Sequence, residues 1–345
     1  MRTKIVYVVT SDETDVYLEQ ALLSVFSLRK HNPNAYVELV VDQDTDATIT
    51  GKRGEILKYI DNKVVINVPE GYKKVCKSRW LKTSLRQHVK GDFLFIDTDT
   101  IVTDNLEEID CFTSDIGAVK DQHVLIGKNF SRKTHRNNAE RDGWSWSETL
   151  AYYNSGVMFI KDSALTHKFY QTWHNKWIDK EGKTGDYTDQ SPLAATNESF
   201  QYPIRELSGE WNCQIASNGI TYLPNAKIMH YLWYGRNTNP WIFYNQDILN
   251  EIKELGYISV KISKLVDDAK FSFDVPNMII SGKEMECVKN KYLIQTPLFS
   301  ICKAHRKVFS LFNYAAIIIQ KTIKFKHRIQ GVFEHIFLEK SLFEK

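Results

Sequence analysis

Residues 1 to about 255 alternate short runs of β-branched or aromatic residues with longer stretches whose apolar residues recur at helical spacing. Residues 5–9, 36–41, 64–68, 92–96, 116–119 and 157–160 read as strands. Residues 16–30, with Leu22, Leu23, Val25, Phe26 and Leu28, and residues 79–89 read as helices. A chain ordered this way must lay each helix back across the sheet its strands build. The predicted fold is therefore α/β, an open and mostly parallel sheet with helices on both faces. In such sheets ligands bind beyond the carboxyl ends of the strands, so the residues just after each strand are the ones to read for chemistry.

Composition narrows the class. With 345 residues, 43% hydrophobic and 25% charged, the chain excludes collagen, wholesale disorder and a multi-span membrane protein. A net charge of +3 creates no demand for nucleic acid. Five scattered cysteines without CxxC spacing predict neither a zinc site nor a disulfide framework, and with them a reducing, cytoplasmic location. The apolar run at 5–9 is too short for a signal segment, and nowhere do the roughly 18 apolar residues of a spanning helix occur together.

Charge is unevenly placed. Residues 286–345 hold 11 Lys and Arg against 4 Asp and Glu, a net of +7 that leaves −4 for the rest. The same segment carries nine Phe and Tyr, among them Phe299, Tyr314 and Phe337, and residues 314–319 are mostly apolar and precede Lys321, Lys324, Lys326 and Arg328. We therefore expect a domain at 1–255 and a basic, aromatic, mainly helical extension at 256–345. Such a helix suits either peripheral contact with an anionic membrane surface or packing on the domain with a solvated basic face. Residues 127–146 are polar, basic and aromatic without a clear period, which predicts a long functional or mobile loop that Trp144 and Trp146 could anchor.

The most chemical segment is Phe93-Leu94-Phe95-Ile96 followed by Asp97-Thr98-Asp99. Four apolar residues predict a strand buried on both faces, and carboxylates at i and i+2 would then share one side of it. Hard divalent cations are held by such paired carboxylates together with substrate phosphates. A plain turn is the alternative. In the helix after residue 78, Arg79, Lys82 and Arg86 fall on one face. Cations there could neutralise an anionic group; for Lys82 and Arg86 a solvated face is the expectation. Asp189 also suits an N-cap, with Pro192 in the first turn after it.

Residues 93–102, FLFIDTDTIV, resemble the DxD segment of GT-A glycosyltransferases, above all glycosyltransferase family 8, the family of glycogenin and bacterial lipopolysaccharide galactosyltransferases. Further segments over residues 1–250 resemble that family in the same order: the opening strand, turn and helix; KSRWLKTSL; Asn154-Ser155-Gly156; Asp189-Gln190; and His230. The resemblance implies a GT-A fold and transfer of a hexose from a nucleotide-sugar, UDP-glucose or UDP-galactose, to a glycan or lipid-linked acceptor, with retention. It implies Mn²⁺ or Mg²⁺ on Asp97, Asp99 and His230. It places Thr10, Ser11, Asp12, Arg79, Lys82, Thr98, Asn154, Ser155, Gly235 and Arg236 at the donor, and Asp189 and Gln190 at the sugar and its anomeric carbon. One departure stands out: the family's glycine comes three residues after the histidine and is followed by lysine, whereas here Gly235 comes five after His230 and is followed by Arg236.

Rival readings are weaker. The DxD segment also resembles that of haloacid dehalogenase phosphatases, but Ile101 replaces the Thr or Val expected there, and His230 and Asn154 would be unexplained. A sugar nucleotidyltransferase would need a glycine-rich basic loop after the first strand, where Thr10-Ser11-Asp12-Glu13 stands instead. A non-catalytic sugar-binding protein of the same fold would result if Asp97, Asp99 and His230 failed to converge in space.

Overall fold

Alternating apolar residues of the first strand face two different cores, and this decides the layering. A computed structural model describes residues 1–215, 217–231 and 246–270, with Leu311, Tyr314, Ala315 and Ile318. The chain divides into two units, Met1–Pro276 and Asn277–Lys345, and both sheets belong to the first. The segment at 286–345 lies outside the described residues apart from those four. No described helix is long and apolar enough to cross a membrane.

Along the chain, β1 (Lys4–Val9) leads to α1 (Tyr17–His31), β2 (Val37–Asp42), α2 (Gln43–Thr48), β3 (Asn62–Ile66), α3 (Lys74–His88) and β4 (Phe93–Ile96). Then come β5 (Thr100–Val102), β6 (Ile116–Lys120), α4 (Arg132–Asp142), β7 (Tyr153–Ile160), α5 (Ala164–Thr184), α6 (Gln190–Ser199) and β8 (Ile204–Glu206). The last described elements are β9 (Cys213–Gln214), β10 (Ile228–His230), α7 (Gln246–Leu255) and α8 (Val260–Asp267). A seven-stranded sheet has the order β3-β2-β1-β4-β7-β6-β8, and a small sheet the order β5-β10-β9. The large sheet is parallel except where β7 runs antiparallel to β4 and β6. This is the GT-A type of mixed α/β sheet expected from the sequence.

Ile5, Tyr7 and Val9 of β1 and Leu94 and Ile96 of β4 pack with α1, the small sheet, α7 and α8. Val6, Val8, Phe93 and Phe95 point the other way, against Leu81 and Leu85 of α3 and Phe169, Tyr170 and Trp173 of α5. Strands covered on both faces read as continuous apolar runs, which is why β1 and β4 are so plain in the sequence. Phe93 and Trp173 are wholly buried, and truncating either to Ala would cost about 3–5 kcal/mol.

Residues 127–146 depart from expectation. They contain α4, closed by Gly143 in the left-handed conformation, a geometry glycine adopts without a Cβ clash. The helix shows no periodicity because it buries only Ala139. Trp144 anchors the chain beyond the helix: it is buried, stacks on Tyr152 with ring centroids 5.9 Å apart, and donates its Nε1–H to Ser191 Oγ at 3.0 Å.

Candidate active site

The chain turns a corner at the acidic pair. β4 ends at Ile96, the Asp97 N–H donates to Gly156 O in β7 at 2.7 Å, and Thr100 Oγ1 closes the turn on Asp97 O at 2.8 Å. From Thr100 the chain runs in the small sheet, where His230 of β10 stands opposite Thr100 and the Tyr231 N–H donates to Asp99 O at 3.0 Å. The two carboxylates thus lie at the junction of two sheets, not along one strand face as the i, i+2 spacing predicted. The result is convergence: ligand atoms of Asp97, Asp99 and His230 all lie within 4.8 Å of one another. Nε2 of His230 is 3.2 Å from Asp99 Oδ1.

Gly156 makes room for this. A Cβ on it would overlap His230 Cε1 and stand 2.9 Å from both Asp97 Oδ2 and Asn154 Oδ1. The glycine of the Asn-Ser-Gly segment is therefore demanded by close approach rather than by a turn.

Behind the acids, α3 carries Lys82. Its Nζ lies 3.2 Å from Asp97 Oδ1, 3.1 Å from Ser155 Oγ and 3.4 Å from Asp189 Oδ2, with the Phe95 ring centroid 4.9 Å away. Lys82 and Arg86 are both buried, so the solvated face expected for them is overturned. Lys82 reaches Asp97 and Ser155, and Arg86 turns inward over the Phe93 ring to donate to Gly91 O at 2.7 Å. Spacing showed that the cations share a face but not that this face turns toward β4 and β7. Arg79, partly exposed, sits one turn earlier with Nε 3.5 Å from Asp189 Oδ1.

Asp189 stands at the N-cap position of α6 but makes no capping bond. Its carboxylate accepts from Ser155 Oγ at 2.8 Å instead. Burial pushes this carboxyl up, but Lys82, Arg79 and the Ser155 hydroxyl outweigh it and hold the pKa well below the usual range. Asp97 goes the other way: burial and the Asp99 charge raise it against Lys82 and Arg79. For His230 burial favours the neutral ring, yet Asp99 and Asp97 win and the pKa rises. The Asp99 charge contributes to both rises, and a bound cation would offset it. Two carboxylates and one imidazole nitrogen facing a common point fit a divalent cation.

A cleft of about 780 Å³ opens over these groups. Of the residues assigned to the donor from the sequence, Thr10, Arg79, Lys82, Thr98, Asn154 and Ser155 line it; so do Asp189 and Gln190, and no residue of 127–146 does. Ser11 and Asp12 stand behind the lining. The Ser11 hydroxyl donates to Asp15 Oδ1 at 2.6 Å and accepts from Arg53 Nη2 at 2.8 Å, and Asp12 pairs with Lys74. Asn154 spends its amide within the protein: Nδ2 donates to Asp121 Oδ1 at 3.1 Å, and Oδ1 accepts from the Gly156 N–H at 2.9 Å. Gly235 and Arg236 lie outside the described residues. Sequence reading missed Tyr17, Gln20, Lys74 and Tyr187, which also line the cleft. Lys74, Ser78 and Lys82 succeed one another at i, i+4, i+8 on α3, a signal that could have found Lys74.

A parallel-dominated sheet that delivers an acidic pair, a histidine and a buried cation to one cleft at its strand ends belongs to the sugar-transferring enzymes of GT-A type. Residues 8–245 match the model of the family described as glycosyl transferase family 8, and the chain belongs to that family; it is a glycosyltransferase. Among solved structures it is similar to the galactosyltransferase LgtC in complex with donor and acceptor sugar analogs. The identity is 15%, with 73% of this chain and 96% of that one covered at a TM-score of 0.51. It is similar also to the bifunctional glycosyltransferase WbbM in its apo form, at 14% identity, 74% and 52% coverage and a TM-score of 0.51. At these identities the likeness is one of fold. No curated protein sequence matches the chain.

Proposed function

We propose that the protein transfers a hexosyl group, glucose or galactose, from a UDP-sugar to a hydroxyl of a glycan or lipid-linked acceptor, with retention of anomeric configuration. One observation carries this reading: Asp97, Asp99 and His230 converge on a single point of the cleft floor. That convergence, with the family, also sets aside the phosphatase and the non-catalytic sugar-binding protein.

Asp97, Asp99 and Nε2 of His230 would hold the cation, Mn²⁺ or Mg²⁺. When bound, it supplies Lewis-acid neutralisation of the leaving diphosphate. Arg79 lines the cleft and adds positive charge on the same side. Lys82, with its ammonium among Asp97, Asp189 and Ser155, stands between the two carboxylates and favours the charged form of each. Thr10 and Thr98 border the nucleoside, with Ser11 and Asp12 shaping the loop behind them; Gly235 and Arg236 are assigned to the phosphates on sequence alone.

Asp189, ionised and oriented by Ser155, accepts hydrogen bonds from sugar hydroxyls. Gln190 donates its Nε2–H to Tyr153 O at 3.3 Å and lines the cleft. There it stabilises positive charge growing at the anomeric carbon. The bond from that carbon to the phosphate oxygen breaks while the acceptor oxygen bonds to the same face. The acceptor's proton passes to the departing phosphate oxygen, so no carboxylate base is required. We assign this chemistry to residues 1–255. For the extension at 256–345 we propose peripheral contact with an anionic membrane surface, on the strength of the +7 charge at 286–345.

Thermal melting against a panel of nucleotides and nucleotide-sugars, with and without Mn²⁺, tests the reading. A ligand of the native state raises the midpoint. The expected result is a shift with UDP or a UDP-sugar that requires the metal. The absence of a shift with every nucleotide would overturn it. The anomeric configuration of the first product, read by NMR, tests retention.

A further inference from the structure

A file of buried amides runs away from the histidine into the protein. His230 Nδ1 is 2.9 Å from Asn212 Oδ1, Asn212 Nδ2 is 3.0 Å from Asn154 Oδ1, and Asn154 Nδ2 is 3.1 Å from Asp121 Oδ1. Asn129 Nδ2 reaches the other Asp121 oxygen at 2.9 Å. Asn212, Asn154 and Asn129 are buried, with Asn212 and Asn129 wholly so. The file has a direction. An ionised carboxylate only accepts, so Asp121 obliges Asn154 to present its NH₂ group. The Gly156 N–H, which only donates, requires the same orientation by pointing at Asn154 Oδ1 from 2.9 Å. Asn212 must then offer its NH₂ to Asn154 and its carbonyl oxygen to His230.

We propose that Asn212, held in orientation by Asn154 and Asp121, is a positioning residue that fixes the proton of the neutral His230 ring on Nδ1, so that the Nε2 lone pair faces Asp99 and the cation. The inference rests on the reading that His230 is a metal ligand. A neutral imidazole binds a metal through its unprotonated nitrogen, and the hydrogen bond made by the other nitrogen selects which one that is. Here the Asp121 carboxylate and the Gly156 N–H set that choice, against Asp99 Oδ1, which lies 3.2 Å from Nε2 and favours a proton there. An unconstrained ring would place its proton on Nε2 in a share of the molecules, and that share would have to change tautomer before binding. Asp121 therefore acts on the site through two side chains, and the asparagine of the Asn-Ser-Gly segment has a task directed at the metal ligand rather than at the sugar.

Two measurements test this. The protein, labelled with nitrogen-15 histidine, is observed metal-free by NMR at alkaline pH, with the His230 signal assigned by its loss in His230→Ala. The expected spectrum shows the proton on Nδ1; a proton on Nε2 in the wild-type protein would overturn the proposal without any variant. Mn²⁺ is then titrated without nucleotide and followed by electron paramagnetic resonance in the wild type, Asn212→Leu and His230→Ala. Asn212→Leu should bind Mn²⁺ about 10- to 100-fold more weakly and show mixed tautomers. Wild-type Mn²⁺ affinity in a folded Asn212→Leu, with affinity lost in His230→Ala, would overturn the relay and leave the metal site standing. Wild-type affinity in His230→Ala would overturn the metal ligand itself. Should Asn212→Leu not fold, the wild-type spectrum alone decides.

Discussion

The ammonium of Lys82 lies 3.2 Å from a carboxylate oxygen of Asp97 and 3.4 Å from one of Asp189, so a single buried cation serves both the acidic pair and the carboxylate at the start of α6. A buried charge deprived of its partner is costly. Lys82→Met should therefore lower the stability of the metal-free protein by about 3 kcal/mol. Added Mn²⁺ should restore part of that by supplying positive charge beside Asp97. Urea unfolding with and without the metal measures both. A variant as stable as the wild type would show that Lys82 is not what holds the two acids.

Asp99 faces the same point as His230 but lies nearer the solvent. Asp99→Ala should abolish metal-dependent turnover and leave the melting temperature of the metal-free protein within a few degrees. Calorimetry of the variant checks the fold, and release of UDP checks the activity. Full turnover would remove Asp99 from the metal site.

Gly156 tolerates no side chain. The Cβ of Gly156→Ala would strike the His230 ring and crowd Asp97. We expect a destabilisation of about 1–3 kcal/mol and weakened binding of Mn²⁺ and nucleotide together. Isothermal titration with each ligand reads the second effect; unchanged affinities would mean that the strand moves aside freely.

His174 gives the protein a pH dependence away from the site. Its ring is buried between α3 and α5, with Nδ1 2.8 Å from Thr83 Oγ1. Burial, and then the neighbouring His88, push its pKa down to about 4. The unfolded chain thus binds a proton that the folded protein refuses between about 6.5 and 4. Stability is full above that window and falls as the pH drops through it, by up to about 3 kcal/mol from this residue. Urea denaturation at a series of pH values should show the slope, and His174→Gln should flatten it.

Much of the fold and of the metal site is legible in the sequence. β1 and β4 are continuous apolar runs because both faces of their sheet are covered, and Asp97, Asp99 and His230 stand out by order and company. Other features leave no trace there. α4 buries one alanine, so no periodicity announces it. Lys82 and Arg86 lie on a polar-looking face that turns toward β4 and β7. Asn212 and Asp121 are isolated polar residues, and nothing in their surroundings in sequence sets them apart.

The sequence by itself determined the class of fold, the family and the three residues that converge in the cleft. Those come from local patterns: apolar runs that must be buried, and short motifs whose order resembles that of one family. Only the tertiary structure decided which cations are buried, which side chains line the cleft and which polar groups stand behind the histidine. Those depend on contacts between elements far apart in the chain, where burial changes what a charge or an amide can do.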